Sequence, residues 1–152
     1  MSLVIANVSC VAVRGRAILI EGSPGSGKSS LALALIDRGA VLVGDDAISV
    51  TLDGGHPQAC PPPNTAGKLE IRNVGIVDLP AGEAPLALIL ELGPEAPRFP
   101  LEVATGEICG VAIPRLRFAP GDAVQALRAE FALEKHGLPV TLSPGGDGKQ
   151  GT

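Results

Sequence analysis

The segment that most constrains this chain is GSPGSGKS, at residues 22–29. It matches the pattern G-x-x-x-x-G-K-[S/T] at every fixed position. An apolar stretch precedes it and the pattern SSLALALIDRG follows, so we expect a strand, a loop and then a helix that ends at Gly39. Glycines let successive N–H groups turn inward around an anion, and a helix N-terminus adds partial positive charge. The segment therefore predicts a phosphate-binding loop.

Particular side chains of this loop have expected roles. Lys28 would reach the β- and γ-phosphates of a nucleotide, and the hydroxyl of Ser29 can ligate Mg²⁺. The predicted nucleotide-binding residues are those of the loop and the first residues of the helix: Gly22, Ser23, Pro24, Gly25, Ser26, Gly27, Lys28, Ser29 and Ser30.

Two adjacent carboxylates, Asp45 and Asp46, follow the next apolar stretch at residues 40–43. In a parallel α/β unit, the C-terminal ends of the strands lie on the same side as the phosphate loop. One carboxylate there can help to hold Mg²⁺, and the other can accept a proton from an attacking hydroxyl. The alternative interpretation of the pair is a solvated turn at the end of a strand.

The rest of the chain alternates short apolar segments with turns. We expect strands over residues 3–13, 17–21, 69–72, 75–79, 86–92 and 108–113, and a second helix over 122–136. Hairpins combined with a strand–loop–helix–strand unit predict an α/β fold, namely a P-loop nucleotide-binding domain on a mixed β-sheet with few helices. The hydrophobic content of 45% suits one folded domain, over residues 1–138, followed by a disordered tail over 139–152.

Composition excludes several classes of partner. The net charge is −4 and only 2% of residues are aromatic, which argues against nucleic acid as a ligand. No apolar run approaches the roughly 20 residues that span a bilayer, so we expect no membrane insertion. The three cysteines have no metal-binding spacing, and their odd number favours a reducing, cytoplasmic setting.

Three segments together resemble one known family. ILIEGSPGSGKSSLALALIDRGAVLVGDDAI, at residues 18–48, resembles the core of the bacterial HPr kinase/phosphorylase catalytic domain. LEIRNVGIVDL, at residues 69–79, resembles the signature segment of that family, and APLALILEL, at residues 84–92, is a further match. The resemblance covers about residues 5–135 and is closest to the short alphaproteobacterial form.

The resemblance implies an activity and a set of roles. The family transfers phosphate from ATP to a serine of HPr, a small phosphocarrier protein, and its members often remove that phosphate by phosphorolysis. By position, Asp45 would be the general base, Lys28 would bridge the phosphates, and Ser29, Asp46 and Glu70 would lie on the Mg²⁺ side. The resemblance also implies assembly as a hexamer.

Two positions depart from the pattern of the family. Asn7 stands where the family usually has a histidine, and a neutral amide cannot stabilise an incoming phosphate as a cation would. Asn73 replaces a usual glycine in the signature segment, and asparagine tolerates left-handed backbone better than other non-glycine residues. Two other functions stay open: a nucleotide-binding regulatory module without phosphotransfer, and a small-molecule P-loop kinase.

Overall fold

The computed structural model describes residues 2–139, so that all of the expected tail beyond Pro139 lies outside the described residues. Within that range the chain forms a mixed sheet, a small separate hairpin and two α-helices. In chain order the elements are β1 (Ser2–Val13), β2 (Arg16–Glu21), α1 (Lys28–Asp37), β3 (Val41–Asp53), β4 (His56–Cys60), β5 (Lys68–Ile71), β6 (Gly75–Asp78), β7 (Ala84–Leu92), β8 (Ala104–Ile108), β9 (Val111–Phe118) and α2 (Gln125–His136).

The main sheet closes on itself around the strand that leads into the phosphate loop. Its order is β2-β1-β3-β4-β7-β9-β8, and β2 also pairs with β7. The pairs of β2 with β7 and of β7 with β9 are parallel, whereas the other ladders are antiparallel. β2 is thus paired along both edges, and five strands form a closed ring in the order β2, β1, β3, β4 and β7. The predicted mixed sheet with few helices is confirmed.

Strand alternation separates two apolar clusters. Ile18 and Ile20 of β2 pack with α1 and α2, whereas Ala17 and Leu19 belong to a second cluster whose buried members all come from strands. Successive side chains of a strand point to opposite faces, and β2 is buried on both. This double burial explains why the sequence before the loop is continuously apolar.

The predicted strand over residues 108–113 is wrong. The chain turns back there, because Cys109 (φ 53°) and Gly110 (φ 78°) form the turn of the hairpin between β8 and β9. Two consecutive residues with positive φ match the twist of a two-residue hairpin. The apolar sequence of residues 108–113 indicated no turn, apart from its single glycine, Gly110.

The second predicted helix is confirmed as α2, which begins at Gln125 rather than at residue 122. Val124, just before it, is 50% exposed and Leu127 is also exposed, while Ala126, Ala129 and Leu133 are buried. Small side chains on the packed face let the helix lie close against its neighbours. Neither α1 nor α2 is long and apolar enough to cross a membrane.

Candidate functional site

The backbone of the phosphate loop has the conformation that an anion cradle requires. Gly25 (φ 81°) and Gly27 (φ 104°) are both left-handed, and Gly27 is the N-cap of α1. No side chain of residues 2–139 caps this helix end, so its first N–H groups are available to a ligand. The predicted strand–loop–helix arrangement around residues 22–29 is therefore confirmed.

Lys28 lies folded over this loop. Its ammonium donates to the carbonyl of Gly22 at 2.9 Å and to that of Ser23 at 3.1 Å. These two bonds hold the cation above the loop N–H groups, where a polyphosphate would meet both kinds of donor.

Asp45 is the polar centre of the site. Its Oδ1 accepts hydrogen bonds from the hydroxyls of Ser29 and Ser9, each at 2.8 Å, and its Oδ2 accepts a longer one, 3.3 Å, from the N–H of Glu70. The carboxylate is half-buried. The structure thus brings Asp45, Ser29 and Glu70 together at the start of α1.

The expectation that Asp45 and Asp46 end a strand is wrong, because β3 continues to Asp53. The carboxylates are presented instead by an irregularity inside the strand, where Asp46 has a φ of 72° and the register with β1 shifts. Both β2 and β3 run antiparallel to β1, so they share one direction and Asp45 still lies at the loop side of the sheet. The side chain of Asp46 is exposed and forms no hydrogen bond or ion pair within residues 2–139.

A cavity of about 560 Å³ opens between the phosphate loop and the hairpin of β5 and β6. Its walls come from the loop, the first turns of α1 and the first strand and turn of that hairpin. The lining residues are Gly25, Gly27, Lys28, Ser29, Ser30, Leu33, Glu70, Ile71, Arg72 and Asn73. Six of these residues were predicted as site residues, namely Gly25, Gly27, Lys28, Ser29, Ser30 and Glu70. Asn73 was predicted only as a turn residue, and Leu33, Ile71 and Arg72 were not singled out.

Arg115 does not point to open solvent. Its guanidinium lies 2.8 Å from Glu21, the residue before the loop, and 3.7 Å from Glu91 at the end of β7. An ion pair there ties β9 to the strand that carries the loop. Nothing in the sequence beyond the charges themselves indicated this pairing.

The oxygen-rich donor set suits Mg²⁺. The Ser29 hydroxyl and the carboxylates of Asp46 and Glu70 are hard oxygen donors, and Mg²⁺ is usually held by one or two carboxylates together with substrate phosphates and water. Between residues 2 and 139 no group of three or more His, Cys, Asp or Glu has metal-binding geometry.

Cys10 and Cys60, both in strands of the main sheet, do not readily form thiolates. Burial raises the pKa of Cys10 far above its usual range. The pKa of Cys60 is also raised, mainly by burial and further by Glu83, although a hydrogen bond with Thr51 acts in the opposite direction. Both thiols therefore stay protonated at neutral pH.

The family model of the HPr serine kinase C-terminal domain matches residues 4–82, which contain the phosphate loop, Asp45 and the hairpin of β5 and β6. The chain belongs to this family. HPr kinase/phosphorylase of Clostridium novyi is 46% identical over 71 residues, which is 47% of this chain and 23% of that protein. The enzyme of Clostridium acetobutylicum is 45% identical over 76 residues, again 47% and 23%.

A solved structure extends the similarity beyond the matched segment. The Hpr(Ser) kinase/phosphatase from Coxiella burnetii superposes with a TM-score of 0.77 at 26% identity, and the alignment covers 88% of this chain and 90% of that one. Against the clostridial proteins, by contrast, the chain spans only about a quarter of their length. The resemblance to the short alphaproteobacterial form stays a prediction.

Asn73 adopts the conformation expected of a glycine substitute. Its φ is 68°, in the turn between β5 and β6 at the wall of the cavity. We expect Asn73→Ala to lower the free energy of unfolding by about 1 kcal/mol, because alanine tolerates left-handed backbone less well. Asn73→Gly should cause no loss. Urea denaturation of the three proteins measures the difference, and equal stability of the alanine variant would show that the turn relaxes.

Proposed function

We propose that this chain transfers the γ-phosphoryl group of ATP to a serine hydroxyl of an HPr-type phosphocarrier protein. The observation that carries the proposal is the 2.8 Å contact between Ser29 of the phosphate loop and Asp45. Membership of the HPr serine kinase family supports the substrate class, and the names of the clostridial and Coxiella relatives agree with it.

The residues present fit a nucleotide held with Mg²⁺. In the proposal, residues 22–30 hold the phosphates, and Ser29 with Asp46 and Glu70 holds the metal side. When bound, Mg²⁺ would neutralise part of the negative charge on the phosphate oxygens. Lys28 would leave the carbonyls of Gly22 and Ser23 and donate to the β- and γ-phosphates.

Asp45 is proposed as the general base. Two hydroxyls donate to its Oδ1, whereas Oδ2 accepts, from the described residues, only the 3.3 Å bond of Glu70 N–H. Oδ2 is therefore the oxygen free to accept the proton of the acceptor serine hydroxyl. The hairpin of β5 and β6 beside it would limit access of water to the reacting hydroxyl.

The test is incubation of the purified protein with Mg·ATP and HPr, with and without inorganic phosphate, followed by mass spectrometry. A phosphoserine on HPr supports the proposal, and loss of that group with formation of pyrophosphate would add phosphorolysis. Absence of phosphoserine from HPr after the incubation would reject the proposed phosphoryl transfer. We also propose a cytoplasmic location and a hexameric assembly. Analytical ultracentrifugation of the purified protein tests the assembly.

One observation favours a second candidate, a nucleotide-binding regulatory module. Asn7, at the position of the family histidine, is exposed, and within the described part of the chain it makes no side-chain bond to Asp45. Binding of ATP and of HPr without serine labelling would favour this candidate over the kinase.

For the loop itself, we expect Lys28→Met to weaken ATP binding about 10- to 100-fold, because a hydrogen bond to a charged group contributes about 1.5–3 kcal/mol. Isothermal titration calorimetry measures the change. Lys68→Met is the matched control, since Lys68 pairs with Asp78 on the hairpin rather than with the loop. Equal ATP affinity of Lys28→Met and the parent protein would contradict a phosphate role for Lys28.

A further inference from the structure

Ser9 is an unexpected polar residue in the apolar strand β1. Its neighbours Val8 and Cys10 are buried in the second apolar cluster, which we call the strand-only cluster because its buried members all come from strands. Ser9 itself is only 1% exposed. A buried hydroxyl without a partner would be destabilising, so its hydrogen bond must be accounted for. That bond goes to Asp45 Oδ1 at 2.8 Å.

The backbone is irregular on both sides of this contact. Ser9 lies opposite Asp45, and the register between β1 and β3 shifts before this pair and again after Cys10. Asn7, with a φ of 63°, and Asp46, with a φ of 72°, lie in the first irregularity. Such bulges redirect side chains, and here they leave Ser9 and Asp45 on the face next to the phosphate loop.

Three hydrogen-bond donors contact the Asp45 carboxylate, two at Oδ1 and the N–H of Glu70 at Oδ2. Ser9 and Ser29 approach Oδ1 from two elements, β1 and α1, and together they fix the rotation of the carboxylate. Without Ser9, Oδ1 would be held from the side of α1 alone. Ser29 is also the residue expected to turn toward a metal, so Ser9 is the donor that does not depend on the ligand.

We infer that Ser9 is a positioning residue that holds the Asp45 carboxylate with Oδ2 toward the reacting hydroxyl. This inference rests on the proposed function. Ser9 acts through Asp45 and touches no substrate. It supplies from β1 a fixed partner for the carboxylate, on the strand where Asn7 lies exposed two residues earlier.

Kinetics of phosphoryl transfer test the inference. Hydrogen-bonding partners behind a functional group are worth about 10- to 100-fold in activity, so we expect Ser9→Ala to lower kcat by at least about 10-fold with the KM for ATP unchanged. Ser9→Thr, which keeps the hydroxyl, should recover most of the rate. On an Asp45→Ala background, Ser9→Ala should cause no further loss. An equal loss on both backgrounds would overturn the inference and leave Ser9 a purely structural residue.

Cys10→Ala is the matched control, because Cys10 is equally buried one residue away but faces the strand-only cluster. It should leave kcat unchanged. A readout independent of transfer is the double-mutant cycle of Ser9→Ala and Asp45→Ala in urea unfolding. We expect a coupling of at least about 10-fold in the unfolding equilibrium constant. No coupling overturns the inference, whereas coupling in a protein that fails to label HPr rejects only the proposed function.

Discussion

Asp45→Asn is expected to bind ATP as tightly as the parent protein while transferring phosphate about 10²- to 10⁴-fold more slowly. The amide keeps the size of the side chain and can still accept a hydrogen bond from Ser29, but it cannot take a proton from the serine hydroxyl. Single-turnover transfer to HPr measures the rate, and calorimetry with ATP measures the affinity.

The neighbouring carboxylates make this experiment selective. Asp53→Asn, the same chemical change at the exposed end of β3, is the matched control and should transfer at the parent rate. Asp46→Asn should instead raise the Mg²⁺ concentration needed for half-maximal rate, in keeping with its proposed place on the metal side. Parent-like turnover of Asp45→Asn, or a larger loss at Asp46, would reject Asp45 as the base.

Gly44→Ala should have the largest effect on folding. A Cβ at Gly44 would overlap the main-chain oxygen of Ala47 and lie 2.9 Å from Ile48 Cγ2 and 3.1 Å from Pro62 Cδ. A backbone oxygen in a paired strand cannot move aside easily, and overpacking usually costs about 1–3 kcal/mol. We expect a loss of about 3 kcal/mol, together with displacement of Asp45, the next residue, and hence loss of transfer.

Gly93→Ala serves as the comparison for that variant. A Cβ at Gly93 meets no atom of the described residues within 4 Å, and the backbone of Gly93 is not left-handed. The free energy of unfolding of this variant should therefore stay within about 0.5 kcal/mol of the parent value. Urea unfolding of both variants measures the difference. If Gly44→Ala were as stable as Gly93→Ala, the close approach of β3 to its own backbone would have no energetic weight.

The sequence predicted the phosphate loop and its flanks because the motif depends on local rules. Glycines at residues 25 and 27 and the periodicity of α1 each act within a few residues, and the structure agrees. Asn73 was likewise placed in a left-handed turn on the preference of its own side chain. The side of the sheet on which Asp45 lies could be predicted as well, because chain direction alone decides it.

What could not be predicted depends on register between distant segments. The strand β3 continues past Asp46 because β1 pairs with it on both sides of a bulge, and neither propensity nor spacing indicates such a bulge. The contact of Ser9 with Asp45 joins residues 36 positions apart, and the pairing of Arg115 with Glu21 is also long-range. The single available signal was a serine inside the apolar run VSCVAV.

The ring of strands also sets how the site can move. Since β2 is hydrogen-bonded along both edges and its central residues are fully buried, its amides cannot exchange with solvent unless several ladders separate together. Deuterium uptake should therefore be slowest at residues 17–20 and fast in the β5–β6 turn. We therefore expect the anion cradle to be anchored to the slowest-exchanging part of the described chain, and the β5–β6 hairpin to form the more mobile wall of the cavity.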